Sequence, residues 1–223
     1  MAIMSWPAIG RRPSRQRGIR LLEDSLDIET CEGAATIGLE LTDTVPSFDA
    51  VLIALGGGAL ATGVGHVVKA LAPDVEVICV QPHGAPAMTY SWRQRRVVTT
   101  DSTSTIADGV AGRRPIPAVL DDLLLVADDA VLVQEASIIA GMRMLLDHAG
   151  LVVEPSAALG IAAIPEDRRP LRRPARSHHR VRQQRRPGRL SPLDRRGSHP
   201  RGWPWRSYGG SIIGVWTTRK RSR

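Results

Sequence analysis

Residues 51–68 read VLIALGGGALATGVGHVV: an apolar run, three consecutive glycines and then a helical pattern. Ala50–Leu55 is too short for a helix and ends at glycine, which predicts a buried strand. Leu60, Val64, Val67 and Leu71 recur at helical spacing and Pro73 closes the segment, which predicts a helix directly after the glycines. A strand, a glycine turn and a helix in that order set bare backbone N–H groups at the positive end of a helix, where a phosphate or carboxylate is favoured. The stretch has nearly the length of a membrane span. Its glycines, Thr62 and His66 fit strand, turn and buried helix better.

Outward from this stretch, residues 19–166 alternate strand and helix patterns, as a parallel sheet covered on both faces does. The expected fold class is α/β, a partial three-layer parallel sheet. Glu32–Leu41 reads as a helix, Val75–Val80 as a second buried strand and Leu123–Ala127 as a third. Asp128 or Asp129 is then expected to cap a long helix through Val133, Ala136, Ile139, Ala140 and Leu146, ending at Gly150. Pro155 suits the first position of a last helix running to Ile164.

Charge divides the chain the same way. Residues 19–166 hold 8 basic and 20 acidic residues, whereas 1–18 hold 4 basic and no acidic ones and 167–223 hold 18 basic and 2 acidic ones. The net charge of +8 therefore belongs to the ends. Three segments follow: a basic N-terminal segment 1–18, a globular domain 19–166, and an Arg/Pro-rich tail 167–223. The tail has no apolar period. Such a composition suits a disordered basic arm, which buries too little apolar surface to offset its ordering entropy. It is also what a GC-rich gene gives when read out of frame, and this second explanation is preferred. A third use of the tail is nucleic-acid binding, with its arginines on phosphates and Trp203 and Trp205 as a stacking platform. Cys31 and Cys79 lack metal spacing and cannot make a disulfide framework, so a soluble protein of a reducing cytosol is expected.

The glycine loop does not fit two common phosphate binders. A Walker loop requires Lys and Ser or Thr after its last glycine, whereas Gly63 is followed by Val64 and Gly65. A dinucleotide fingerprint is formally present in Gly56, Gly58 and Ala61, but the next strand ends Val80-Gln81-Pro82 with no acid for a ribose. A tight turn that uses glycine only for helix packing stays open on the loop alone. Four ordered stretches reach further: EGAATIGLEL (32–41), FDAVLIALGGGALATGV (48–64), TIADGVAG (105–112) and LVVEPSAALGIAAI (151–164). Together they resemble the threonine and serine dehydratases and serine racemase, pyridoxal-phosphate enzymes of the tryptophan-synthase-β fold, fold type II.

The resemblance implies pyridoxal 5'-phosphate as cofactor and the removal of water and ammonia from L-threonine or L-serine to give a 2-oxo acid. It leaves dehydratase and racemase open, implies a small amino-acid substrate, and allows a homodimer. Gly56, Gly57, Gly58, Ala59 and Leu60 would offer backbone N–H groups to the cofactor phosphate, with Ala59 departing from a fourth glycine. Glu154 would stand near the pyridine ring, and Asp108 and Gly109 beside the pocket. An ordinary Asp-Gly turn and a carboxylate at a helix N-terminus remain the alternative readings of these positions. Some relatives hold a divalent cation on an acid where this chain has Gln81, and a neutral amide there argues against a metal. His66 and His148 read as helix residues, and Met142 and Met144 as core or interface filling.

The family's chemistry needs a lysine bonded to the cofactor aldehyde, carried in a Ser-Phe-Lys type segment that has no counterpart here. The only lysines are Lys69 and Lys220. Lys69 lies eleven residues beyond Gly58 on the same helix, roughly 16 Å away at 1.5 Å per residue. The strand and Gly-Ser-Asn-like turn that meet the ring nitrogen in relatives should follow Ile164, where arginines begin. No catalytic residue is therefore assigned. The expectation is a fragment with half a cofactor cradle and little or no activity, with apolar surface left open at the edge of its sheet.

Overall fold

The computed structural model describes residues 25, 26, 28–166, 205–206 and 213–216, the last six by their backbone. The expected N-terminal segment 1–18 and most of the tail, with Trp203 and Lys220, lie outside the described residues. The elements run Ile28–Thr44 (α1), Ala50–Ala54 (β1), Ala59–Leu71 (α2), Glu76–Pro82 (β2), Ala87–Gln94 (α3), Pro117–Val126 (α4), Asp129–Val133 (β3), Glu135–Ala149 (α5), Leu159–Glu166 (α6), Trp205–Arg206 (β4) and Ile213–Trp216 (β5). Short 3-10 turns occupy Asp108–Val110 and Pro155–Ala158.

The strands form one sheet in the order β3-β2-β1-β5-β4. β1, β2 and β3 are mutually parallel, with Val51 opposite Val77 and Val80 opposite Val131. All five residues of β1 are buried, as a strand covered on both faces requires. Alternation sorts them into two cores. Val51, Ile53, Val77 and Cys79 meet Leu41 of α1, Val64 and Val68 of α2, and Val119 and Leu123 of α4. Ala50, Leu52, Ile78 and Val80 meet Ile138 and Leu145 of α5 and Leu159 and Ala162 of α6. The three-layer reading therefore holds for the parallel part of the sheet.

Two expectations were displaced. Leu123–Ala127 is not a strand; Leu123–Val126 are the last residues of α4. Pro117 starts that helix at its first turn, and Val119, Leu120, Leu123 and Val126 are buried at helical spacing while Leu125 stays 74% exposed. A run of four apolar residues cannot by itself tell the two periods apart. The third strand is instead β3, so neither Asp128 nor Asp129 caps a helix. Asp128 Oδ2 accepts hydrogen bonds from Val77 N and Lys69 Nζ, and α5 begins only after Gln134. Its buried face is Ile138, Gly141 and Leu145, while Ile139 and Leu146 face outward. Gly150 does end it, in the left-handed conformation at φ 67°.

The other departure is at the sheet edge. β5 pairs antiparallel with β1, Val51 opposite Val215 and Ala50 opposite Trp216, and β4 pairs with β5. The edge of β1 is thus covered, and two short strands stand within a tail expected to lack regular structure. The rest of that tail lies outside the described residues.

Candidate cofactor site

The glycine turn connects β1 to α2. Gly58 has φ 117°, open to glycine and strained for other residues, and a Cβ there would lie 2.4 Å from Val119 Cγ1. Its carbonyl accepts from Thr62 N at 2.9 Å and from Thr62 Oγ1 at 3.0 Å, which fixes the first turn of α2. Among the described residues, the N–H groups of Gly56, Gly57 and Gly58 donate to no backbone carbonyl. Gly57 is exposed, Gly56 half-buried and Gly58 buried, so the turn opens to the surface at Gly57.

Ala59 N does have a partner: it donates to Ser25 Oγ at 3.1 Å. Ser25 is 6% exposed and takes φ 67°, an uncommon left-handed conformation for serine. A hydroxyl oxygen thus occupies the N–H of the first residue of α2. Sequence reasoning missed Ser25, because it lies 34 residues upstream of Ala59 and belongs to no motif.

Three of the four stretches singled out in the sequence converge here. A Cβ on Gly56 would sit 3.3 Å from Gly109 O and 3.4 Å from Val110 Cα. A Cβ on Gly109 would in turn sit 2.8 Å from Ser156 Oγ and 3.6 Å from Glu154 Oε1. Gly109 is thus a shared wall between the phosphate-type loop and the Glu-Pro-Ser segment, bare on the side that faces both oxygens. Glu154 and Asp108 are exposed, whereas Ser156 is 1% exposed and its Oγ has no hydrogen-bond partner.

The fourth stretch, 32–41, lies within α1 and packs against α2 rather than lining the loop. A Cβ on Gly63 would meet Cys31 O at 2.3 Å, so a glycine is needed there for α1 to approach.

Comparison with known proteins decides the lineage. Residues 8–177 match the model of the pyridoxal-phosphate dependent enzyme family. This chain belongs to that family. It is 31% identical over 170 residues to serine racemase of Oryza sativa subsp. indica, covering 75% of this chain and 49% of the rice protein. It is 34% identical over 138 residues to L-threonine ammonia-lyase of Thermotoga maritima, covering 62% of this chain and 34% of that enzyme. In three dimensions it resembles maize serine racemase with a TM-score of 0.57 and 32% identity, over 60% of this chain and 40% of that one. The chain spans half or less of the length of these curated relatives.

The remaining candidates have structural roles. Gln81 Oε1 accepts from Thr89 N at 2.8 Å and Thr89 Oγ1 at 2.9 Å, which ties β2 to α3. Among the described residues no group of three or more His, Cys, Asp or Glu could hold a metal ion. Lys69 Nζ donates to Val75 O at 2.9 Å and to the Asp128 carboxylate, at the end of α2 away from the glycine turn. His66 is exposed on α2, and Met142 and Met144 pack against the second core. Among the described residues no helix is long and apolar enough to cross a membrane.

Proposed function

We propose that this chain carries the phosphate and ring-edge half of a pyridoxal 5'-phosphate site of the threonine/serine dehydratase type. The carrying observation is the convergence of Gly56, Gly109 and Ser156, residues from three separate stretches, beside a helix N-terminus with undonated N–H groups. Gly56, Gly57, Gly58, Ala59 and Leu60 would hold the phosphate, with Ala59 N released by Ser25. Gly109 and Glu154 would border the ring.

The residues fit the phosphate and ring of that cofactor and do not fit its aldehyde. When held covalently, the cofactor supplies an electron-accepting ring for the breaking of bonds at an amino acid's α-carbon. That requires an amine against the aldehyde, and the one lysine among the described residues is engaged at the wrong end of α2. The family reaction, loss of water and ammonia from L-threonine or L-serine, is therefore assigned to the lineage. These 223 residues are assigned cofactor binding without turnover. No observation favours nucleic-acid binding by the tail.

Titration with pyridoxal 5'-phosphate, followed by tryptophan fluorescence, tests the reading. Saturable binding that inorganic phosphate competes away is expected. Ala59→Pro removes one donor at a position where proline suits a helix start, and should weaken binding about tenfold. Binding that ignores both phosphate and Ala59→Pro would refute the loop as the phosphate seat.

A further inference from the structure

β3 ends the sheet among the described residues, with β2 between it and the strand that carries the glycine turn. Its register against β2, with His83 N donating to Val133 O, turns the backbone groups of Asp129, Val131 and Val133 inward, and those of Ala130 and Leu132 out to the free edge. Side chains cap that edge on both sides of Leu132. Ala130 O accepts from Arg93 Nε at 3.2 Å and Nη2 at 2.8 Å, and Ala130 N donates to Asp129 Oδ1 at 2.7 Å. Gln134 N donates to Glu166 Oε1 at 2.9 Å. Such caps keep an edge from pairing with another strand. Leu132 lies between them, and its N–H and C=O make no hydrogen bond among the described residues. It lines a cavity of about 250 Å³ together with Arg93, Glu166, His83, Val133 and Ala163.

We infer that this gap in the edge is a binding site for a short extended peptide with free termini, about three residues long. An antiparallel peptide would set its middle residue opposite Leu132 and exchange both N–H···O bonds with it. Its length follows from the caps: Ala130 O and Gln134 N stand three residue steps apart, roughly 10 Å, which is also the length of three extended residues. Charge gives the direction. Arg93 Nη1 and Glu166 Oε2 are not used by the caps, so the peptide's carboxylate meets Arg93 and its ammonium meets Glu166. A longer strand would have to displace both caps. The inference stands apart from the cofactor seat.

The test titrates the full chain with trialanine and follows the amide resonance of Leu132. A saturable shift is expected. Trialanine N-methylated at its middle residue, which cannot donate to Leu132 O, should bind about tenfold more weakly. Glu166→Gln keeps the acceptor for Gln134 N and should weaken trialanine about threefold, while N-acetyl-trialanine binds wild type and variant alike. No shift at Leu132, or equal binding of the N-methylated peptide, would overturn the inference. Free alanine binding as tightly as trialanine would make this a site for a small zwitterion and overturn it too. A Leu132 resonance that shifts with protein concentration alone would mean that a second copy takes the edge, with the same consequence. Loss of trialanine and N-acetyl-trialanine together in Glu166→Gln would show that Glu166 only shapes the edge, and would remove it as the ammonium's partner.

Discussion

Cys79 shows at the scale of one residue how burial sets chemistry. It lies in β2, fully inside the first core, and desolvation, with the nearby carboxylates of Asp129 and Asp128, pushes its thiol up from 9.0 to about 12. The unfolded thiol releases its proton near pH 9, while the folded one keeps it until about 12. Its contribution is therefore complete below pH 9 and is lost through the window up to about 12, at a slope of at most about 1.4 kcal/mol per pH unit. Urea midpoints at pH 8.5 and 10.5 should fall further for the wild type than for Cys79→Ala; parallel falls would contradict this. Residue identity was also where the site was most legible. Gly56, Gly57 and Gly58 carry their own signature, because only a turn before a helix explains three glycines after a buried strand. Ser25 and Ser156 carry none. A hydroxyl's role depends on what the fold brings beside it, and no spacing encodes that Ser25 meets Ala59 or that Ser156 meets nothing.

At the scale of elements, Lys69 and Asp128 tie α2 to the junction of β2 and β3. Asp128 N donates to Val77 O, and Asp128 Oδ2 accepts from Val77 N and Lys69 Nζ, so one carboxylate serves three segments. Asp128→Ala strands a backbone donor in partly buried surroundings and should cost about 2 kcal/mol. Lys69→Met removes only a half-exposed ion pair and one bond to Val75 O, and should cost at most about 1 kcal/mol. Urea unfolding of both variants checks the order; a larger loss for Lys69→Met would reverse the assignment. The same junction is where sequence reading failed. The apolar run Leu123–Val126 and the paired acids after it looked like a strand followed by a cap, but Pro117 had already begun a helix whose buried stripe absorbs the run. In contrast, α2 and β2 were legible because Pro73 separates them and each shows a single period.

At the scale of the whole molecule, the sheet is completed by a part of the chain that composition marks as unlike the rest. β5 is four residues long with a glycine at 214, too short to show a period, and its place is evident only from pairing with β1. That pairing covers an edge which would otherwise expose the donors and acceptors of the most buried strand. Val215→Pro deletes an N–H in a strand flanked by β1 and β4, and should lower stability by about 1–3 kcal/mol and promote self-association. Sedimentation at increasing concentration would show it, and an unchanged monomer would mean that β5 protects nothing. The central claim concerns the same whole: a cofactor-family fold proposed to seat the phosphate and ring, in which the one lysine among the described residues is held away from that seat. Borohydride reduction of the chain saturated with pyridoxal 5'-phosphate, followed by intact-mass and peptide analysis, tests this most directly. The account predicts occupancy that dialysis removes and no stoichiometric pyridoxyl label on any lysine; one label per chain at Lys69 or Lys220 would contradict it.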